Sequence, residues 1–299
     1  MPAVADSPQV AATTVPVPVP VPVRRRLLRN PRIAIPAGVV LLVLLVAAVP
    51  GAFAGWFGHG DPRACDLNNS GAGPVSGHPF GFDIQGCDLY SNVVYGTRAS
   101  VTIGLAVTTG CVLIALFLGC LAAYYRGIVD AVVSRTMDIF FGFPALVGQV
   151  VILNTLQRRD VVVVSAVLIL FAWPGMTRLM RSAALATVDL DFVKAARGLG
   201  AGPVRVIVRH VLPNSFAPIL AVASLGIGGM ITAESALTFL GVGLRAPSIS
   251  WGVQLNQAQD SFRDHLPLLL FPALFLSVTV LAFVMLGDAL RDTFDPRSR

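Results

Sequence analysis

Residues 99–125 read ASVTIGLAVTTGCVLIALFLGCLAAYY, 27 consecutive positions without a charged side chain, closed by Arg98 before and Arg126 after. A helix needs about 20 apolar residues to cross about 30 Å of hydrocarbon, so this stretch predicts a membrane span. The pattern recurs on both sides of it. Residues 33–54 give 22 uncharged positions, 139–157 give 19, 161–177 give 17, 211–233 give 23 with ten more before Arg245, and 266–287 give 22. Six gaps of this length predict an all-α polytopic membrane protein with six transmembrane helices. The third and fourth gaps are separated only by Gln157-Arg158-Arg159-Asp160, and the alternative is that these two form one re-entrant hairpin.

Composition agrees. Of the 299 residues, 55% are hydrophobic and 13% charged, and the mean hydropathy is +0.75. A soluble domain has about 45–50% apolar and about 25% charged residues, so an ordinary soluble enzyme is excluded. Four cysteines are too few for a disulfide-dense secreted scaffold.

An even number of spans puts both termini on one face. With the N-terminus inside, 16 of the 22 Lys and Arg residues fall on the cytoplasmic side, including the five of the N-terminal tail. Lys and Arg excess marks that side and acidic residues contribute little. The sequence therefore predicts cytoplasmic N- and C-termini. The net charge of +6 reads as an orientation signal rather than a nucleic-acid footprint.

Val15 to Val23 alternates Val with Pro16, Pro18, Pro20 and Pro22, which predicts an extended polyproline-type tether. Arg24-Arg25-Arg26 follows it at the inner surface. The apolar stretch beyond is too long for a secretory signal peptide. Between the first two spans lies a loop rich in Gly, Asp and Asn, with Cys65, Cys87, His59 and His78. These residue types bind metals, but none has the close spacing of a metal site. A Cys65–Cys87 disulfide is the reading for this exterior loop, where such bonds persist. Cys111 and Cys120 sit inside the second span and read as packing residues.

The segment from Arg181 to Pro213 is basic and predicts a helix, a bend at Gly198, Gly200, Gly202 and Pro203, and a second amphipathic piece. Such a segment either lies on the lipid interface or docks in a partner's groove; the projecting bend favours docking. Lys194 is the only lysine and is followed by Ala195, so no Gly-Lys-Ser/Thr phosphate loop exists, nor a Ser/His/Asp set, a Gly-x-Ser-x-Gly elbow or a zincin motif. Glu234 is the only glutamate. With the fifth helix starting near Ser215, it lies about 28 Å along at about 1.5 Å per residue, near the outer end. That position suits a hydrogen-bonded or water-lined group; a place on a translocation path is the alternative, because ionisable residues within spans lean functional.

Phe192-Val193-Lys194-Ala195-Ala196-Arg197-Gly198-Leu199-Gly200, nine residues, then His210-Val211-Leu212-Pro213 resembles the EAA loop of ABC-importer permeases. Further similar stretches are Gly81 to Asp88, Gly96 to Ser100, Glu234 to Gly241, Ser250-Trp251-Gly252 and Gly287 to Asp292, together covering about residues 80–297. They point to the second, C-type permease of the dipeptide/oligopeptide/nickel group. The resemblance implies a type I importer fold and a subunit that forms half of a pore with a second, similar permease. It also implies two separate ATPase subunits, which would bind the ATP and Mg, and an external substrate-binding protein. No cofactor is expected in this chain. Lys194, Ala195, Ala196, Gly200, Leu212 and Pro213 would form the coupling loop that sits on an ATPase, with Gly200 making the bend. The expected organisation is a tail over 1–32, a first span over 33–55, an exterior loop over 56–97, a five-helix core over 98–290 containing the coupling loop 183–213, and a tail over 291–299.

The sequence departs from the family pattern at Lys194, where Glu is usual, at Cys87, where Arg is usual, and at Phe82, where Thr is usual. The first inverts or removes a charge contact; the second supplies a partner for Cys65. Peptides are the expected substrate, with glutathione-like peptides, haem and nickel as alternatives. From other classes, the rival readings are a self-sufficient channel or ion-coupled carrier and a membrane-anchored scaffold.

Overall fold

The computed structural model describes residues 31–294, apart from His59 and Phe262. The Pro/Val tether, Arg24 to Arg26 and the last five residues lie outside the described residues. Helices carry the described chain, joined by loops with isolated β-bridges such as Cys65 to Cys87.

Helix α1 is Pro31–Ala48 and α2 is Pro50–Ala54. Pro50 has no N–H for the preceding turn and stands at the start of a new helix, so the expected first span over 33–55 is divided there. Helix α3, Leu89–Tyr125, is N-capped by Asp88, whose carboxylate accepts from the Ser91 backbone N–H at 3.0 Å. The expected loop over 56–97 therefore gives its last nine residues to this helix, and Arg98 rides on it. The cap overrides the charge-gap boundary because a satisfied first turn can begin well outside the apolar stretch.

Helices α4, Gly127–Gly142, and α5, Ala145–Thr155, follow, bent by 82° at the break between them. The third span was expected as one piece over 139–157. Pro144 disfavours α geometry at Phe143, which is extended at φ −96°, ψ 132°, so the break falls inside the third segment instead of between the third and fourth. Helix α6, Val161–Val188, runs past Arg178 and Arg181. Arg178 pairs with Asp138 at 3.3 Å and Arg181 with Asp130, so paired charges extend a helix that the gap count closed at 177.

Helix α7 is Asp191–Gly198. Helix α8, Pro203–Phe239, passes through a π-helical turn at Ile207–Val211, and so starts well before Ser215. Helix α9 is Trp251–Ala258 and α10 is Pro267–Phe294, which takes in the first residues of the expected tail over 291–299. Among the described residues, five helices (α1, α3, α6, α8 and α10) are long and apolar enough to cross a membrane, and the bent pair α4–α5 makes six if it counts as one crossing.

Small residues set how these helices meet, as close packing in lipid requires. A methyl group placed on Gly110 would lie 2.6 Å from Ile169 Cδ1, and one on Gly119 would lie 2.9 Å from Met180 Cβ. The near-constant offset makes α3 and α6 parallel neighbours. A methyl group on Gly104 would lie 2.6 Å from Ile231 Cγ1, with α8 antiparallel to α3. Cys111 and Cys120 are buried thiols in the resulting core.

Candidate functional site

The parallel run of α3 and α6 gives the molecule two polar ends. At one, α6 hands over to α7. The Gly200 N–H donates to Arg197 O at 2.9 Å and the Ala201 N–H to Ala196 O at 3.1 Å. This pair of bonds closes the helix in a Schellman motif, with Gly200 at φ +83°. A side chain at Gly200 would meet nothing within 4 Å, so glycine is required there for its backbone alone. The chain then re-enters a helix at Pro203.

This elbow has a buried root and an apolar tip. Val193 and Val206 are fully buried, whereas Leu199 is 89% exposed and Val204 75%. Lys194 and Ala195 are exposed and Ala196 is half-buried. Lys194 faces Asp191 at 3.7 Å in its own helix, an exposed pair that contributes little. Leu212 is half-buried and Pro213 exposed, both within the continuous α8.

Ion pairs lash the elbow to the α3–α4 turn. One guanidinium nitrogen of Arg126 donates to both Asp189 oxygens at 2.7 Å. Arg181 and Asp130 form a two-point pair, and Arg197 stacks 4.3 Å over Tyr124. Arg126 holds φ +51° and ψ −161°, a region few residues other than Gly adopt. Arg126, Asp130, Arg181 and Asp189 were not singled out by the sequence. They stand 51 to 63 positions apart, and no local spacing pairs them.

At the opposite end, Cys65 and Cys87 are joined by a disulfide, with Cα atoms 4.0 Å apart. Asp83 accepts from the Gln85 and Cys87 N–H groups at 2.8 Å each. Burial raises its pKa, and backbone hydrogen bonds from Cys87, Gln85 and Gly86 oppose the rise. His78 Nδ1 lies 3.1 Å from Asp88 Oδ1. His59 falls outside the described residues, among which no three His, Cys, Asp or Glu side chains converge as metal ligands would.

Three stretches named above meet here. Glu234 is fully buried. Its Oε1 accepts from Thr238 at 2.9 Å and Ser250 at 3.3 Å, and its Oε2 from Ser100 and Ser235 at 3.2 Å each. Ser100 Oγ in turn accepts from the Trp251 N–H at 3.3 Å, and Ser250 Oγ from the Val253 N–H at 3.2 Å, capping α9. Trp251 is buried and donates to Val93 O at 3.0 Å. A methyl group on Gly252 would lie 3.2 Å from Glu234 Oε1 and 2.8 Å from Thr238 Cβ. Glu234 thus lies five residues from the end of α8 and pins α9 across α3 and α8. Arg159, in the turn before α6, donates to Gly241 O at 3.1 Å. Burial, and then the nearby Arg245, lower its pKa.

Residues 115–299 match the family described as binding-protein-dependent transport system inner membrane component. A protein of Brucella abortus, provisionally named a peptide transport system permease, is 36% identical over 273 residues, covering 91% of this chain and 90% of its own. The glutathione transport system permease protein GsiD of Pectobacterium atrosepticum is 34% identical, covering 91% and 89%. The dipeptide transport system permease protein DppC of Alkalihalophilus pseudofirmus is 32% identical, covering 91% and 88%. A solved amino acid ABC transporter superposes with a TM-score of 0.51 over 66% of this chain and 92% of its own, at 16% identity, a likeness of fold.

Proposed function

The chain belongs to the family of binding-protein-dependent transport system inner membrane components, and from that premise we propose that it is a pore-forming permease subunit of an ATP-driven importer of di- or oligopeptides. It sits in the bacterial plasma membrane as a multi-pass protein, paired with a second, homologous permease. Both termini and the α7 elbow face the cytoplasm, where two ATPase subunits bind the ATP and Mg. The disulfide-closed loop faces outward, toward the binding protein that delivers substrate. The 16-to-6 division of basic residues supports this orientation.

One observation carries the coupling role: an elbow whose root is buried and whose apolar tip, Leu199 and Val204, stands in solvent. An exposed apolar knob is stabilised by a partner's groove. The pairs Arg126–Asp189 and Arg181–Asp130 tie that knob to α3, α4 and α6. A push on the elbow therefore moves several spans together, as alternating access requires. Lys194, where the family pattern has Glu, presents a cation to the ATPase.

The test is ATP-dependent peptide uptake by the complete transporter in proteoliposomes. Gly200→Leu introduces a side chain at φ +83° and should uncouple ATP hydrolysis from uptake; unchanged uptake would sink the coupling role. Substrate alternatives within the family are glutathione-like peptides, haem and nickel. From another class, an ion-coupled carrier would use Glu234 as its ionisable group, and uptake driven by a proton gradient without ATP would establish it. The ring of four hydroxyl donors around Glu234 supports a structural role for it instead.

A further inference from the structure

Three adjoining recesses run from the N-terminal part of α3, beside Pro247 to Ile249, along the disulfide-closed loop to α9. The first, about 440 Å³, is lined by Arg63, Tyr95, Arg98 and Ser248. The second, about 260 Å³, shares Arg63 and Ser248 with it and adds Asp83, Asn92, Gln254 and Gln257. The third, about 320 Å³, shares the last four and Gln85 with it and adds Asp260. Shared walls make this one groove. Each recess is near the lower end of small-ligand cavities, which span about 300–1,000 Å³.

The groove is electrically polar along its length. Its first part is lined by Arg63 and Arg98, and among the described residues no carboxylate forms an ion pair with either. Arg63 instead donates to Pro247 O at 3.4 Å. Its third part is lined by Asp83 and Asp260 together with Gln85, Gln254 and Gln257. Arg63 and Asp83 face the same middle recess without forming an ion pair there. The middle also holds a fixed amide: Gln254 Nε2 donates to Asn92 O at 2.7 Å, and its buried Oε1 has no donor. A buried acceptor without a donor is costly. At the elbow end, by contrast, Asp130, Asp138, Asp189 and Asp191 each have a cationic partner.

Separated, unneutralised charges of opposite sign with polar walls between them match a short chain that carries a carboxylate at one end and an ammonium at the other. We propose that this groove is a holding site for a short zwitterionic peptide, its carboxylate against Arg63 and Arg98 and its ammonium against Asp83 and Asp260. A planar guanidinium receives a carboxylate in two-point geometry, and an ammonium presents three donors to carboxylate and amide oxygens. The inference rests on the permease reading and adds to it a preference for free peptide termini on the permease itself.

The test is competition for a radiolabelled dipeptide on the detergent-solubilised complex of both permeases and both ATPases, without the external binding protein. A free dipeptide should compete, and its C-amidated and N-acetylated forms should each do so about tenfold less well, the scale of one charge-assisted hydrogen bond. In Arg63→Gln/Arg98→Gln the penalty for amidation should vanish, while the penalty for acetylation remains. Asp260→Asn should do the reverse; Asp260 is chosen because Asp83 also holds its own turn. Arg63→Lys/Arg98→Lys should restore the amidation penalty. Absence of saturable binding, or terminus preferences that the variants leave unchanged, would overturn the proposal. An unaltered preference combined with weaker binding-protein association would make the groove a protein-docking surface instead. Uptake by the complete transporter separates the two levels. Peptide uptake with no binding at the groove ends this inference alone, whereas no ATP-dependent uptake of any peptide ends the reading as a peptide permease.

Discussion

Gly200 and Gly241 close their helices with the same backbone device, and the surroundings turn it to opposite ends. Gly241 N–H donates to Thr238 O at 2.9 Å and Val242 N–H to Leu237 O at 3.1 Å, at φ +78°, repeating the bonds at Gly200. Around Gly200 there is open space and a solvent-facing Leu199. Around Gly241, Asn256 and Gln259 both donate to Phe239 O, at 2.8 and 2.6 Å, and Arg159 donates to Gly241 O. Glu234 stands nearly two turns before the cap with its four hydroxyl donors. A helix end is thus local in origin and global in consequence: the glycine allows the turn, and the side chains around it decide whether the turn is anchored or projects.

Breaking the anchored end should have the largest effect. Glu234→Ala leaves the hydroxyls of Ser100, Thr238 and Ser250 facing a void, at a cost on the order of 3–5 kcal/mol. The unfolding midpoint of the solubilised protein should fall sharply, while Glu234→Gln, which keeps an acceptor, should fall much less. Opening the disulfide comes next. Cys65→Ser frees a loop with a separation of 22 residues, a loss of about 3 kcal/mol on the chain-entropy argument. It should appear as a lower midpoint that reductant no longer shifts. The same substitution at the two glycines then sharpens the comparison. Alanine at either site meets a positive φ, a cost of about 1–2 kcal/mol. At Gly241 the side-chain anchors hold that strain in place and Gly241→Ala should lower the midpoint, whereas the projecting turn at Gly200 can relax into solvent, so Gly200→Ala should lower it less and raise the ATP consumed per peptide carried. An equal midpoint loss at both sites would erase the distinction. The smallest change is Asn256→Ala, which removes one of two side-chain donors to Phe239 O. It should cost about 0.5 kcal/mol, visible as a small shift in the midpoint.

Span number and the elbow were legible in the sequence because both are written locally. Charge-free runs state where lipid can be crossed, and Gly200 followed by Pro203 punctuates the backbone. The same local reading misplaced boundaries wherever a remote partner intervened. Arg178 and Arg181 looked like the end of a span, yet Asp138 and Asp130 let them continue α6. Asp88 started α3 inside what composition marked as loop. The bend at Phe143-Pro144 was hinted at in the sequence, since Pro disfavours helix in the residue before it, although Pro174, Pro218 and Pro272 stand inside helices here. It was missed because an uncharged run says nothing of a bend within it. Glu234 was placed near the end of its helix, but its partners Ser100 and Ser250 lie 134 and 16 positions away and carry no signal of proximity.

The amino-acid sequence by itself determined that this chain is a helical membrane protein, how many apolar stretches it has, and that a glycine bend interrupts its basic segment. Those properties follow from residue-by-residue transfer energies and backbone geometry. Only the tertiary structure decided which charges are neutralised and which remain available. The acids of the elbow find arginines across a helix pair, whereas Arg63, Arg98 and Asp260 line a groove without ion-pair partners among the described residues. The physical reason is that the strength of an ionic contact depends on separation and burial in space, and folding brings together residues that the order of the chain leaves unrelated.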